Sequence, residues 1–247
     1  MSEDMKPVGL GTLMEFRCSP ENECFNDCCR DLHQTLTPYD VLRLRKNLVM
    51  TSQDFLKKYT SLHYGPESGL PVVGFKPNPE TGHECPFVTP EGCSVYEDRP
   101  ASCRLYPLAR AISRSRETEV VSEFFALIEE PHCKGFNSKT GLTVEKWISG
   151  QDVKKHNDEN DKLISLISLK NRILPGKLEG PQADMFYLGL YDLDEFRIQI
   201  LNKKFLKNIK IPDAVFKKIL TDDDALLDFG IDWVKLMLFG IQPVFGD

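Results

Sequence analysis

The chain has 247 residues, of which 41% are hydrophobic and 28% charged, with a formal net charge of -6. That balance excludes a disordered or collagen-like chain, and a protein this long can form an apolar core without covalent staples. Neither half carries the basic excess of a general nucleic-acid binder, and no apolar run is long enough to span a bilayer.

Met1 to Leu13 holds early acidic residues and no apolar run of signal-peptide length, so a cytoplasmic protein is expected. Residues 18–36 are polar and cysteine-rich, with no regular period. A helix is then predicted from Thr37 as N-cap, with Pro38 at the first helical position and Asp40 in the first turn. A second is predicted from Ser52 as cap, with Phe55, Leu56 and Tyr59 inward, ending at Gly65, Pro66 and Gly69. From Leu70 the rhythm becomes that of short strands: 70–75, 86–88, 94–96 and 119–128, with Thr89-Pro90-Glu91-Gly92 as a hairpin tip. Past Thr143, which can cap a helix holding Val144, Trp147 and Ile148, the chain reads as mostly helical. Helices are expected over 152–173, 190–204, 212–220 and 222–240, with a break at Pro175–Pro181. Asp222-Asp223-Asp224 sits where a helix N-terminus favours negative charge. The expected fold is α+β: a cysteine-cluster domain over 1–150, then a helical region over 151–247.

All eight cysteines, Cys18, Cys24, Cys28, Cys29, Cys85, Cys93, Cys103 and Cys133, precede Lys134. In a reducing compartment clustered thiols more often hold metal than pair as disulfides. Structural zinc sites commonly use a Cys-x2-Cys knuckle, and this chain has none. A polynuclear iron–sulfur cluster accepts ligands from separate segments, which favours iron, of the 4Fe-4S type, over zinc. Adjacent Cys28 and Cys29 can serve one centre only where the backbone curls. Arg17, Arg30, Arg99, Arg104 and Arg110 lie near the cysteines. Arg99 and Arg104 are the candidates to hydrogen-bond the sulfurs and offset thiolate charge, with Asp27 and Glu97 orienting them. His33, His83 and His132 lie close to cysteines; His63 and His156 are expected to face solvent. No nucleotide-binding, nucleophile-elbow or zincin motif occurs.

Cys24-x3-Cys28-Cys29, Cys85-Pro86-Phe87, Gly92-Cys93-Ser94-Val95-Tyr96-Glu97-Asp98-Arg99-Pro100 and Cys103-Arg104-Leu105-Tyr106-Pro107 together resemble the YkgJ family of cysteine-cluster proteins. The resemblance covers roughly 16–150 and implies chelation of zinc or iron. Cys18 departs from it, with five residues between it and Cys24 where the family has a Cys-x2-Cys. The leading expectation is a protein holding an iron–sulfur cluster, with C-terminal helices that shield it or bind a protein partner. Structural zinc in an interaction module is the alternative. Protein-lysine methyl transfer is a third, by analogy with flagellin lysine methylases of related cysteine pattern.

Overall fold

The structure, a computed structural model, describes residues 5–30, 33–76, 78–114, 121–202, 209 and 211–243. Strands β1 (Met5–Val8) and β2 (Leu13–Met14) open it, and β3 (Thr35–Leu36) leads into helix α1 (Pro38–Asn47). Thr37 and Asp40 form a reciprocal capping box there, as their spacing predicts. Helix α2 (Ser52–Tyr59) is capped by Thr51, one residue before the expected Ser52, because the Thr51 hydroxyl is the group that accepts Asp54 N–H. It also stops early: β4 (Thr60–Tyr64) follows without a break and pairs along its length with β5 (Pro71–Phe75).

The hairpin of β6 (Val88–Thr89) and β7 (Gly92–Cys93) turns at Pro90-Glu91, with Gly92 at φ 121. Glycine accepts that angle without steric cost. The expected strand over 94–96 is displaced, since this tight tip ends pairing at Cys93 and residues 96–98 form a 3-10 turn. Helix α3 (Ala101–Leu105) then leads to β8 (Leu108–Arg114) and β9 (Val121–Ile128). The expected residues 119 and 120 lie outside the described residues. Next come β10 (Leu142–Thr143) and α4 (Val144–Gly150), capped by Thr143 as predicted. Then follow α5 (Lys154–Ile173), α6 (Pro181–Leu190), α7 (Leu193–Leu201), α8 (Asp213–Thr221) and α9 (Asp223–Phe239). The expected continuation of α7 to Lys203 and Lys204 falls outside the described residues. Small sheets with C-terminal helices make this an α+β fold.

The described residues divide into two compact units, 1–33 with 77–161, and 34–76 with 162–247. The first unit holds every cysteine. Its three-stranded sheet has the order β1-β9-β8, antiparallel throughout, and β10 pairs with β2. Met14, Phe16, Leu108, Phe125 and Val144 form an apolar core against which Tyr106, Cys133, Phe136 and Trp147 pack. The second unit carries the β3-β5-β4 sheet and an aromatic centre where Phe196 stacks on Phe229 and meets Trp233 at 5.0 Å between ring centroids. Among the described residues no helix is long and apolar enough to cross a membrane.

Candidate metal centre

The segment from Cys18 to Cys29 is built of successive tight turns. Backbone hydrogen bonds run from Asn22 to Ser19, Phe25 to Asn22, Asp27 to Cys24 and Cys29 to Asn26, each spanning three residues. Asn26 takes a left-handed φ of 73, which asparagine tolerates better than most residues. Its side chain donates to Thr89 O at 2.8 Å, fastening the turn to the β6–β7 hairpin. Asp27–Cys29 then forms a 3-10 turn. This is the curl that the adjacent pair needs: the Cys28 and Cys29 side chains interact directly instead of pointing apart.

The other thiols are brought to this segment by backbone contacts. Cys85 N–H donates to Cys29 O at 2.8 Å. Cys93 pairs across the hairpin with Val88. Cys133 lies in a turn closed by its own N–H to Glu130 O, and the next N–H, of Lys134, donates to Cys24 Sγ at 3.1 Å. Gly135 follows, and Arg17 N–H donates to its carbonyl at 3.1 Å. A Cβ at Gly135 would lie 2.5 Å from the Phe16 ring, so this close approach needs glycine. Cys103 is half-buried in α3. Cys18 and Cys28 are exposed, and the remaining cysteines are partly buried.

Electrostatics show which sulfurs are neighbours. Partial desolvation raises the Cys18 pKa, and Cys28, Cys133 and Cys24 raise it further. Cys28 is raised by its hydrogen bond with Cys29, then by partial desolvation and by the Cys29 and Glu130 charges. Burial pushes Cys85 up to about 11 against the N–H groups of Phe87 and Val88, with Cys93 and Cys28 adding repulsion. Cys93 is raised by burial, opposed by the Val95 N–H and the Arg99 charge, and Cys28 again raises it. Cys28 is thus the member that Cys18, Cys29, Cys85 and Cys93 share. Among the described residues, no three His, Cys, Asp or Glu side chains already form a ligand set for one ion. The thiols are gathered as neighbours without being closed around a point.

The donor set suits a thiophilic metal nonetheless. Crowded, partly buried thiols resist ionisation alone, and a bound cation reverses that balance. Cys24, Cys85 and Cys93 each accept backbone N–H groups, which favour the anionic sulfur over the thiol.

The arginines near these sulfurs are held by oxygen partners. Arg99 is 8% exposed, lies 3.8 Å over the Tyr96 ring, and donates to Tyr96 O at 2.6 Å and Gln151 Oε1 at 2.8 Å. Its charge reaches Cys93. Arg104, 5% exposed, donates to Gln151 O at 3.0 Å and to Glu97 O. Glu97 therefore orients Arg104 through its backbone carbonyl, and Asp27 pairs with Arg30. Arg110 is bound by Asp161 and Glu123, and Arg17 pairs with Glu21.

The His33 and His83 rings lie 6.1 Å apart, and His132 faces Glu130 at 3.6 Å. His63 is exposed as expected. His156 is not: it is 3% exposed, because it lies on the inward side of α5. Sequence reasoning also passed over Tyr106 and Gln151. Tyr106 stood within the quoted Cys-Arg-Leu-Tyr-Pro motif, but nothing local gave its hydroxyl a role. That hydroxyl is sealed from solvent and lies against Cys133 and Glu130 without meeting either in full hydrogen-bond geometry.

Residues 17–140 match the family CxxCxxCC, described as a "Putative zinc- or iron-chelating domain". The matched span contains all eight cysteines. Comparison with curated proteins and with solved structures gives no match.

Proposed function

The chain belongs to the CxxCxxCC family of zinc- or iron-chelating domains and binds metal, and from that premise we propose that the metal is iron, held as a 4Fe-4S cluster. The observation that carries the reading is the convergence on Cys28 of thiols from separate segments. Cys18 and Cys29 lie in its own segment, Cys85 and Cys93 arrive from far along the chain, and Cys24 and Cys133 join the group through Cys18. One tetrahedral zinc needs four ligands, and this neighbourhood gathers more. A polynuclear cluster presents separated iron corners that such dispersed thiolates can reach. The candidate ligands are drawn from Cys18, Cys24, Cys28, Cys29, Cys85, Cys93, Cys103 and Cys133.

When bound, such a cluster supplies one-electron transfer or structural cross-linking. This chain's own residues hold and shape the site. The N–H groups of Phe87, Val88, Val95 and Lys134 point at sulfur, and Arg99 places a positive charge beside Cys93. Arg104 braces the loop that carries Glu97.

One local feature favours structural zinc as the second reading. Cys85 Sγ accepts two successive backbone N–H groups, a knuckle-like turn, with Cys93 across the hairpin. Metal analysis and visible absorption of protein purified without oxygen decide between them. Iron with acid-labile sulfide and a broad absorption that bleaches on reduction supports the cluster. A colourless protein with stoichiometric zinc overturns it.

A further inference from the structure

The hydroxyl of Tyr106 is a buried polar group of the cysteine-bearing unit that the metal reading leaves without a task. Its ring is fixed by the apolar core: Phe16 meets it edge-on at 6.4 Å between centroids, and Cys133 packs against the same cluster. Its backbone closes α3, which carries Cys103, through an N–H bond to Ser102 O at 3.0 Å. Ile128 N–H donates to Pro107 O at 2.8 Å, which draws the end of β9 and the following Glu130–Cys133 turn alongside. The phenol therefore has little freedom to seek another partner.

Among the described residues, the Cys133 thiol and the Glu130 carboxylate lie near the hydroxyl, and Cys133 packs against the same core as the Tyr106 ring. Glu130 is substantially exposed and is drawn toward His132 at 3.6 Å. Cys133 is packed against the core. A protonated thiol is a weak acceptor, which matches a buried hydroxyl that stops short of a proper hydrogen bond. A metal-bound thiolate is a strong one.

We propose that Tyr106 is a positioning residue of the metal centre, its hydroxyl donating to the Cys133 sulfur when that sulfur is a metal-bound thiolate. The assignment rests on the metal-binding reading and on Cys133 as a ligand. It gives Cys133 a side-chain donor in the role that backbone N–H groups fill for Cys24, Cys85 and Cys93. The hydrogen bond would draw charge from the sulfur and hold it in orientation, raising the centre's affinity.

The test is cobalt(II) titration of the reduced, metal-free protein, with thiolate-to-cobalt charge-transfer absorption as the readout. Tyr106→Phe keeps the ring and removes only the hydroxyl. It is expected to bind cobalt with unchanged stoichiometry, about tenfold lower affinity and a charge-transfer band moved to lower energy. In a Cys133→Ser background the same change should have no further effect. Identical affinity and band position in wild type and Tyr106→Phe overturn the proposal, as does an effect that persists without Cys133. A wild-type protein that takes up no cobalt overturns the metal-binding reading itself, and this assignment with it. Equal thermal unfolding of the two metal-free proteins confirms that the variant's fold is intact.

Discussion

Cys28 stands where two groups of thiols meet. One contains Cys18, Cys24 and Cys133, and the other contains Cys85 and Cys93. Cys28→Ser removes the shared member, so it is expected to lose more metal than Cys103→Ser, as read by metal analysis of the purified variants. Equal retention in both would make Cys28 peripheral. Gly135 gives a second residue-scale expectation. Its neighbour Phe16 is 5% exposed and held by Phe136 and Trp147, so the ring cannot yield to a new methyl group. Gly135→Ala should destabilise the protein by about 1–3 kcal/mol in denaturant unfolding, the usual penalty of overpacking. It should also weaken metal binding, because Lys134 N–H sets its contact with Cys24 from the adjoining residue. The residue types that carry this chemistry were legible in the sequence, since eight thiols clustered in one part of the chain point to metal. The burial of His156 was not. A histidine on a mixed helix shows no local sign of which neighbour will cover it.

Helix ends show how local physics is read and where it stops. The box of Thr37 and Asp40 depends on residues three apart, and it forms as their spacing predicts. The acidic run behaves similarly: Asp222 accepts Asp224 and Ala225 N–H groups at the start of α9. Asp223 does something the run could not reveal. It binds Arg45 at 2.7 Å and also takes Arg197, joining α1, α7 and α9. Burial alone would raise its pKa; the Arg197 hydrogen bond and the Arg45, Arg197 and Lys46 charges overcome that and lower it below 3.8. A depressed folded pKa means that the carboxylate stabilises the fold above its unfolded pKa. That contribution is lost as pH falls through the folded value. Asp223→Asn should therefore flatten the loss of stability at acid pH and cost about 3 kcal/mol at neutral pH, as for a broken buried ion pair. Denaturant unfolding across the acid range measures both. An unchanged acid limb would assign that limb to other carboxylates. Strands β1 and β8 escaped sequence reading because pairing partners supply what propensity lacks. β8 contains two arginines and two alanines, and it is held by seven residues of β9. Helix α6 was not read in the sequence, and the helix expected from Leu190 starts at Leu193 because Asp192 accepts Glu195 N–H as its cap.

At the scale of the molecule, every thiol lies in one of two compact units, each with its own apolar packing. The cysteine-bearing unit has a small core and a long run of turns from Cys18 to Cys29. The other unit has its own aromatic centre in α7 and α9. Removing metal with a chelator is therefore expected to speed amide exchange in residues 18–30, 85–93 and 133–135. Exchange within α9 should stay slow, and a uniform acceleration would show that metal stabilises the whole chain equally. Residues 34–76 and 162–247 together form one compact unit, and the cysteine segments belong to the other. The sequence by itself determined that this chain gathers thiols for metal, where several of its helices begin, and that the Cys28-Cys29 backbone must curl if both thiols are to serve one centre. Those features depend on residue type and on spacings of a few residues. Only the tertiary structure decided that Cys28 neighbours thiols from distant segments, that the Arg99 charge reaches Cys93, and that the buried Tyr106 hydroxyl lies near Cys133. Each of these turns on side chains brought together by closure of the chain, and no local period records which distant segments will meet.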